Sequence, residues 1–215
     1  MAVDAGLIYS MALHEDGTIW AWGGGLAGNA ATRPTGTGFA DIAAGYAFAL
    51  GLTPSGGLEA WSLDADMLPE VPTGTGYVEI KVGQLLAAAI NAGGMPELFG
   101  ISTTGVIEAP VPAGQYVAVD AGVYHAAGIL SDGHLLSWGG AGAEAYDLVQ
   151  DLGDGPYVAL AAGQRLGVGI REDGTLRPYG DSPYGAVITP TTGAEYFAVA
   201  VSPMDSVFAI RRITE

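Results

Sequence analysis

Residues Tyr116 to Gly140 read YVAVDAGVYHAAGILSDGHLLSWGG, and this stretch decides the fold. It opens on an aromatic residue and continues as an alternating apolar run to Ala121-Gly122. A second run leads to Asp132-Gly133, and a third ends in Trp138-Gly139. A two-residue hairpin turn needs positive φ at its centre, which an Asp-Gly pair accepts readily. The stretch therefore predicts three short strands joined by two tight turns.

The same pattern recurs along the chain with a period near 40 residues. An anchor glycine closes the first run at Gly6, Gly45, Gly83, Gly122 and Gly163, with spacings of 39, 38, 39 and 41 residues. The aromatic residue that opens a unit recurs in step with these anchors at Phe39, Tyr77, Tyr116, Tyr157 and Tyr196. Several short strands in a repeat of about 40 residues are typical of propeller blades with about four strands each.

The sequence therefore predicts an all-β fold, a β-propeller that forms one domain over residues 1–215. Its repeat units are 1–38, 39–76, 77–115, 116–156 and 157–195, followed by a half unit at 196–215. The fourth strand of each blade is expected to be short, to contain proline and to lie at the outer edge. Six blade positions with the last one incomplete is the favoured count. Five blades with a C-terminal appendage, or completion by another chain, are the alternatives.

The composition excludes several classes of function. The chain has 23 acidic and 7 basic residues, a formal net charge of −16, and Lys81 is its one lysine. Phosphate backbones are bound by Lys and Arg that displace counterions, so a nucleic-acid partner is not expected. The same charge opposes adsorption to an anionic membrane. Cysteine is absent, which excludes disulfides and thiolate chemistry.

The N-terminal sequence MAVDAGLIYS has neither the basic region nor the apolar region of a signal peptide. Apolar stretches near 18 residues that lack glycine and charge are absent as well, so no membrane-spanning segment is expected. We therefore expect a location in the cytoplasm or in a virion or other assembled particle.

The segment Gly122 to Gly139, GVYHAAGILSDGHLLSWG, resembles the repeat of the regulator of chromosome condensation family. Gly6 to Gly23 matches equally well except for Tyr9 at the histidine position of the family. The resemblance covers essentially the whole chain and implies the propeller fold. The eukaryotic founder of the family is a nucleotide-exchange factor on chromatin. The chain is closest in style to a bacterial relative, the propeller-type β-lactamase inhibitor, which binds a protein through one face.

The chain departs from the family at positions that bear on function. The histidine position is occupied by Tyr9, Phe48, Leu86, His125 and Leu166, so a single unit retains the histidine. The basic, chromatin-facing character of the eukaryotic members is absent as well. Exchange-factor activity is therefore not implied by the resemblance.

The histidines do not predict a catalytic or metal site. His125 takes the packing position of the family, so we expect it to be buried and hydrogen-bonded. His14 and His134 flank Asp-Gly turns and should be exposed. The three are not spaced as zinc ligands.

The carboxylates do not predict a metal site either. The loop acids Asp64, Asp66, Asp147, Asp151 and Asp154 do not fit the twelve-residue calcium loop and are interpreted as solvated. Asp4 and Asp120 occupy equivalent sites in units 1 and 4, and we expect both to have a structural hydrogen-bonding role. A nucleophile elbow and a phosphate-binding loop are absent, so we predict that the protein is not an enzyme and has no cofactor and no metal.

The candidate binding residues come from the two positions that follow each anchor glycine, which link the first two strands on one face of the propeller. The residues predicted to bind a partner are Leu7, Ile8, Tyr46, Gln84, Leu85, Val123, Tyr124, Gln164, Arg165 and Met204. Aromatic residues, Met and Arg are enriched at the centres of protein interfaces. The alternative is that these side chains pack against neighbouring blades.

The leading hypothesis is a non-enzymatic interaction module that binds a protein partner through loops on one face. The first alternative is a structural subunit of a larger assembly such as a phage particle, either decorating it or contacting a host receptor, assembled through the C-terminal half blade. The second alternative is a glycan-binding propeller, which would expose one aromatic residue in every blade. Trp22, Trp61 and Trp138 are instead expected to end strands that face the core.

Overall fold

The computed structural model describes residues 1–24, 37–46, 48–62, 65–101, 104–181, 195–202 and 205–212. These form two compact parts, Met1–Ile101 and Ser102–Glu215, which are described separately. Almost all regular elements are β-strands in antiparallel sheets, which confirms the predicted all-β fold. Among the described residues no helix has the length and apolar character needed to cross a membrane. The single domain over residues 1–215 stays a prediction.

In Met1–Ile101 each repeat unit forms one sheet whose strands pair in chain order. Unit 1 contains β1 (Ala2–Ala5), β2 (Tyr9–Leu13) and β3 (Ile19–Gly23). Unit 2 contains β4 (Asp41–Ala44), β5 (Phe48–Leu52) and β6 (Leu58–Ser62), followed by a 3₁₀ turn at Ala65–Met67. Unit 3 contains β7 (Tyr77–Val82), β8 (Leu86–Asn91) and β9 (Pro96–Gly100).

In Ser102–Glu215 the units again form one sheet each. Unit 4 contains β10 (Tyr116–Ala121), β11 (His125–Leu130), β12 (Leu135–Gly139), the helix α1 (Ala141–Ala145) and β13 (Gln150–Leu152). Unit 5 contains β14 (Tyr157–Ala162), β15 (Gly167–Arg171) and β16 (Leu176–Tyr179). The half unit contains β17 (Tyr196–Val201) and β18 (Val207–Arg211).

The predicted fourth strand forms in unit 4 alone among the described residues. There β13 pairs with β12, with Leu152 opposite Leu135. The described residues 65–76 of unit 2 and 104–115 of unit 3 contain no strand, so the prediction of a fourth strand is wrong for these units. Both segments contain two prolines, which cannot donate to a strand ladder, whereas β13 contains none.

The hairpin between the second and third strands has a three-residue loop, so the predicted two-residue turn is wrong. In unit 1 the His14 N–H donates to the Thr18 carbonyl at 2.8 Å, and the Gly17 N–H donates to the His14 carbonyl at 3.0 Å. Gly17 has a φ of 79°, while the Asp16 carboxylate accepts the Thr18 N–H at 2.9 Å. The glycine thus supplies the positive φ and the aspartate fixes the turn as an acceptor. The same carboxylate contact recurs at Asp132 and Asp173.

The hydrophobic core lies between consecutive units. One cluster joins Met11 and Leu13 of unit 1 to Phe39 and Ile42 of unit 2. Corresponding clusters join units 2 and 3, units 4 and 5, and unit 5 and the half unit. Within each of the two parts, a unit therefore packs one face of its sheet against the unit that follows it, as blades of a propeller do.

The tryptophans at the ends of the third strands differ from the expectation in one unit. Trp138 is buried beside Tyr116, with ring centroids 5.5 Å apart. Trp61 is half-buried and meets Phe39 edge to face at 5.3 Å. Trp22 is 52% exposed, so its predicted core position is wrong. The ring contacts that Phe39 and Tyr116 make with the tryptophans of units 2 and 4 have no counterpart at Trp22 among the described residues.

Candidate functional site

The loops between the first and second strands are short and held by backbone contacts. Each anchor glycine donates its N–H to the carbonyl three residues later, at 2.8 to 3.0 Å in all five complete units. Neighbouring loops also touch, because the Tyr46 N–H donates to the Gly83 carbonyl at 3.3 Å and the Val123 N–H to the Gly163 carbonyl at 3.2 Å. A Cβ on Gly45 would collide with the Gly83 carbonyl. The anchor must therefore be glycine wherever two loops approach in this way.

Asp4 and Asp120 tie the first strands of consecutive units together. One carboxylate oxygen of Asp4 accepts the N–H of the next residue, and the other accepts the Ala44 N–H at 2.8 Å. Asp120 repeats both contacts, reaching the Ala162 N–H at 2.9 Å. Burial raises the pKa of Asp4, although its backbone hydrogen bonds oppose that shift. The predicted structural role of both aspartates is confirmed, and it holds the adjacent loops in place.

In Met1–Ile101 the loops of the first two units expose apolar side chains. Leu7 is 49% exposed, Ile8 is 54% exposed and Tyr46 is 47% exposed. Gln84 and Leu85 of the third unit are half-buried, and Leu85 packs against the core between units 2 and 3. The packing alternative therefore describes Leu85, while Leu7, Ile8 and Tyr46 face solvent.

In Ser102–Glu215 the predicted residues Val123, Tyr124, Gln164 and Arg165 are half-buried. Tyr124 packs against Tyr146, with ring centroids 5.1 Å apart. The Arg165 guanidinium carbon lies 4.0 Å from the centre of the same Tyr146 ring, a cation–π contact. Tyr146 therefore brings together predicted residues from two units. We call Tyr124, Tyr146 and Arg165 the Tyr146 cluster.

The sequence patterns missed Tyr146 because it lies in an insertion without counterpart in the other units. The short helix α1 follows Trp138-Gly139, and Tyr146 is the residue after its end. Buried Ala143 and Leu148 fix the insertion on the core between units 4 and 5. A signal was present in the sequence: an aromatic residue within an acidic insertion that interrupts the repeat.

A second missed residue is Asp205, in the loop between β17 and β18. One of its carboxylate oxygens accepts the N–H groups of Gln164 and Arg165 at 2.8 and 2.9 Å, so it fixes the backbone beneath the Arg165 side chain. Asp205 is 1% exposed and has a φ of 59°, a conformation that aspartate tolerates better than most residues. Met204, the neighbouring predicted binding residue, lies outside the described residues.

His125 is fully buried, as predicted, and its Nε2 lies 3.5 Å from the Tyr179 hydroxyl. Their rings meet edge to face at 5.8 Å. Burial lowers the pKa of His125 to about 3, so the imidazole is neutral. His14 and His134 are exposed, which confirms the prediction for both. A side chain enclosed like His125 serves packing, since it cannot reach a substrate.

The loop acid Asp154 is exposed, as its interpretation as a solvated acid predicts, and it is also paired. It accepts hydrogen bonds from the Tyr157 hydroxyl and from Arg171, and the Nε of Arg177 lies 3.3 Å away. The Tyr157 hydrogen bond and the two arginines lower the pKa of Asp154. Within the described ranges no group of three or more His, Asp or Glu could hold a metal ion.

Comparisons with known proteins find likeness in structure alone. No protein-family model matches the chain, and no curated protein matches it. Human WBSCR16 is similar with a TM-score of 0.75 and 14% identity, over 98% of this chain and 71% of that one. Yeast RCC1 (Prp20), solved in complex with Kap60, gives a TM-score of 0.70 and 15% identity, over 98% and 69%.

The ectodomain of the Physcomitrella patens receptor kinase CR4 gives a TM-score of 0.72 and 19% identity, over 92% of this chain and 54% of that one. The chain thus spans about half the length of the CR4 ectodomain. Identities this low establish the fold and leave the function open. The strand order and register of the sheets, together with these structural neighbours, show that the chain has the RCC1-like β-propeller fold.

Proposed function

We propose that the protein is a non-enzymatic interaction module that binds a protein partner through the loops following its anchor glycines. The observation that carries this proposal is the exposure of Leu7, Ile8 and Tyr46, each about half accessible, in loops held by backbone hydrogen bonds. Apolar and aromatic side chains on a rigid frame lose little conformational entropy when a partner covers them. They are therefore suited to the centre of an interface.

In Ser102–Glu215 the candidate surface is the Tyr146 cluster, which is more polar than the loops of Met1–Ile101. Arg165 lies against the Tyr146 ring, and Asp205 fixes the Arg165 backbone. A half-buried arginine held in this way is pre-organised, and its planar guanidinium recognises carboxylates through paired hydrogen bonds. Tyrosine and arginine are also the residue types most often found as interface hot spots.

The charge of the chain indicates which partner would dock. With a net charge of −16, the protein repels acidic proteins and attracts basic ones over about a Debye length. We propose a partner with an apolar patch at the centre of its docking surface and a basic rim. Such a complex should associate more slowly as salt is added.

The RCC1-like neighbours support the class of function. Prp20 was crystallised with Kap60, and another Prp20 structure is described together with its binding to Gsp1p and histones. More specifically, we propose that the partner binds through one face, as in the propeller-type β-lactamase inhibitor. The alternative is that the protein is a subunit of a larger assembly. In that case the capture experiment below would retain several components of a particle instead of one protein.

The test is affinity capture from an extract of the source organism, with proteins identified by mass spectrometry. The bait is compared with two loop variants, Ile8→Ser combined with Tyr46→Ala, and Tyr124→Ala combined with Arg165→Ala. Val158→Ser is the matched control, because Val158 is an exposed apolar residue of β14 outside the loops. We expect one protein to be retained by the bait and the control and lost from at least one loop variant. Equal capture by all four would contradict the proposed surface.

A further inference from the structure

Arg165 is a half-buried cation without an acidic partner in the part of the chain that the structure describes. Three basic residues are half-buried there, Arg165, Arg171 and Arg177. Arg171 and Arg177 both pair with the Asp154 carboxylate. No carboxylate of the described residues pairs with the Arg165 guanidinium, although acidic residues outnumber basic ones by 23 to 7 in the chain. Because a partly desolvated charge favours an opposite charge beside it, Arg165 is a candidate site for an acidic group of a ligand.

The carboxylate that lies beneath Arg165 is committed to the backbone. One oxygen of Asp205 accepts the N–H groups of Gln164 and Arg165 at 2.8 and 2.9 Å. The other oxygen of Asp205 is enclosed and has no hydrogen-bond partner among the described residues, and the same is true of the Arg165 Nε. Asp205 therefore fixes the point from which the Arg165 side chain leaves the backbone, but it does not pair with the guanidinium.

The Tyr146 ring holds the guanidinium without using its hydrogen-bond donors. The guanidinium carbon lies 4.0 Å from the ring centre, and Tyr124 packs against the same ring. A cation–π contact draws on the charge of the guanidinium and leaves its N–H groups available. Since the Nε is enclosed, the two terminal NH₂ groups are the donors that a ligand can reach. Such a fork matches the two oxygens of one carboxylate.

We propose that Arg165 binds an aspartate or glutamate side chain of the protein partner through its two terminal NH₂ groups. This inference rests on the proposed function, because it names the group that the partner places on the Tyr146 cluster. The Tyr146 ring keeps water away from one side of the guanidinium, which strengthens the attraction between the two charges. All residues of the site lie in Ser102–Glu215.

Exposed carboxylates beside Tyr146 restrict the ligand further. Asp147 is the next residue, and Asp181 donates its N–H to the Tyr146 carbonyl at 2.8 Å. These acids and the net charge of −16 repel a ligand with two negative charges, whereas they attract a basic residue that neighbours a single carboxylate. We therefore expect the acidic residue of the partner to lie within a basic surface.

The experiment is a titration of the ¹⁵N-labelled chain with benzoate, followed by NMR of the backbone amides. Benzoate has one planar carboxylate, and benzamide is its neutral counterpart of nearly the same shape. Phenyl phosphate, with two negative charges, tests whether the site takes a phosphate group instead. The variant is Arg165→Gln, and the matched control is Arg177→Gln, which removes the same charge from an arginine that Asp154 already pairs. Circular dichroism melts check that both variants fold.

We expect benzoate to produce saturable shifts at the amides of Tyr124, Tyr146 and Arg165. Benzamide should bind about tenfold more weakly, because it lacks the charge that strengthens hydrogen bonds to the guanidinium. Arg165→Gln should lose the preference for benzoate over benzamide, and Arg177→Gln should keep it. Phenyl phosphate should bind more weakly than benzoate.

Four results would overturn the proposal: no saturation with benzoate, equal binding of benzamide, tighter binding of phenyl phosphate, or a preference that Arg165→Gln retains or Arg177→Gln also loses. Benzoate binding requires no partner, so it is independent of the affinity capture that tests the proposed function. Capture of a protein by a chain that does not bind benzoate would overturn this inference alone. Benzoate binding without any captured protein would contradict the proposed function and leave Arg165 as a carboxylate site.

Discussion

The buried histidine makes the stability of the protein depend on pH. Burial lowers the pKa of His125 to about 3, whereas histidine in an unfolded chain titrates near 6.5. Between these values the unfolded chain binds a proton that the folded chain does not. Stability is therefore fully present above pH 6.5 and falls as the pH drops through that value towards the folded-state pKa.

The loss has a calculable size, because each pH unit inside this window removes about 1.4 kcal/mol. From pH 7 to pH 5 the loss that belongs to His125 is about 2 kcal/mol. The matched variant is His125→Leu, since Leu86 and Leu166 fill the corresponding positions of units 3 and 5 at 0% and 3% exposure. Leucine binds no proton, so the variant should lack this loss.

Urea denaturation of both proteins at pH 7 and pH 5 gives the free energies of unfolding. The carboxylates titrate in both proteins and cancel in the comparison. We expect the unaltered protein to lose about 2 kcal/mol more than His125→Leu between the two pH values. Equal losses in both proteins would refute the placement of a neutral, enclosed imidazole at this position.

Three further predictions concern packing, the strand ties and the binding loops. Trp138→Ala should lower the free energy of unfolding by about 3–5 kcal/mol in urea, because it empties a buried site beside Tyr116, and no change would place the ring at the surface. Asp120→Ala should lower the free energy of unfolding by about 1–3 kcal/mol in the same assay, since the Ala162 N–H loses its acceptor. An unchanged free energy of unfolding would contradict the structural role of this carboxylate. Tyr46→Ala should leave the thermal melt unchanged while weakening partner binding, so an unfolded variant would place Tyr46 in the core.

The period of the anchor glycines was sufficient to predict the sheets and their order. It succeeds because each unit repeats the same close loop contacts, which admit only glycine at positions such as Gly45. The turn type was predicted less well, because Asp16-Gly17 is compatible with loops of two or three residues. The hydrogen bond from Thr18 to the Asp16 carboxylate selects the longer loop.

The candidate site could be predicted only in part. Position after the anchor glycine identified Tyr124 and Arg165, but it could not show that Tyr146 lies between them, since that contact depends on an insertion without a repeat counterpart. Position in the repeat also predicted a core role for Trp22. Trp22 is instead 52% exposed, because the repeat pattern gives the place of a residue in its strand but not which side chains cover it.

The most direct test of the proposed binding surface is site-specific photo-crosslinking in an extract of the source organism. p-Benzoylphenylalanine replaces Tyr124 in one protein and Val158 in a control, and the crosslinked products are compared by mass. We predict a single crosslinked protein of defined mass from position 124 that is absent from position 158. No product at position 124 above the level at position 158 would contradict the claim that this loop surface binds a protein.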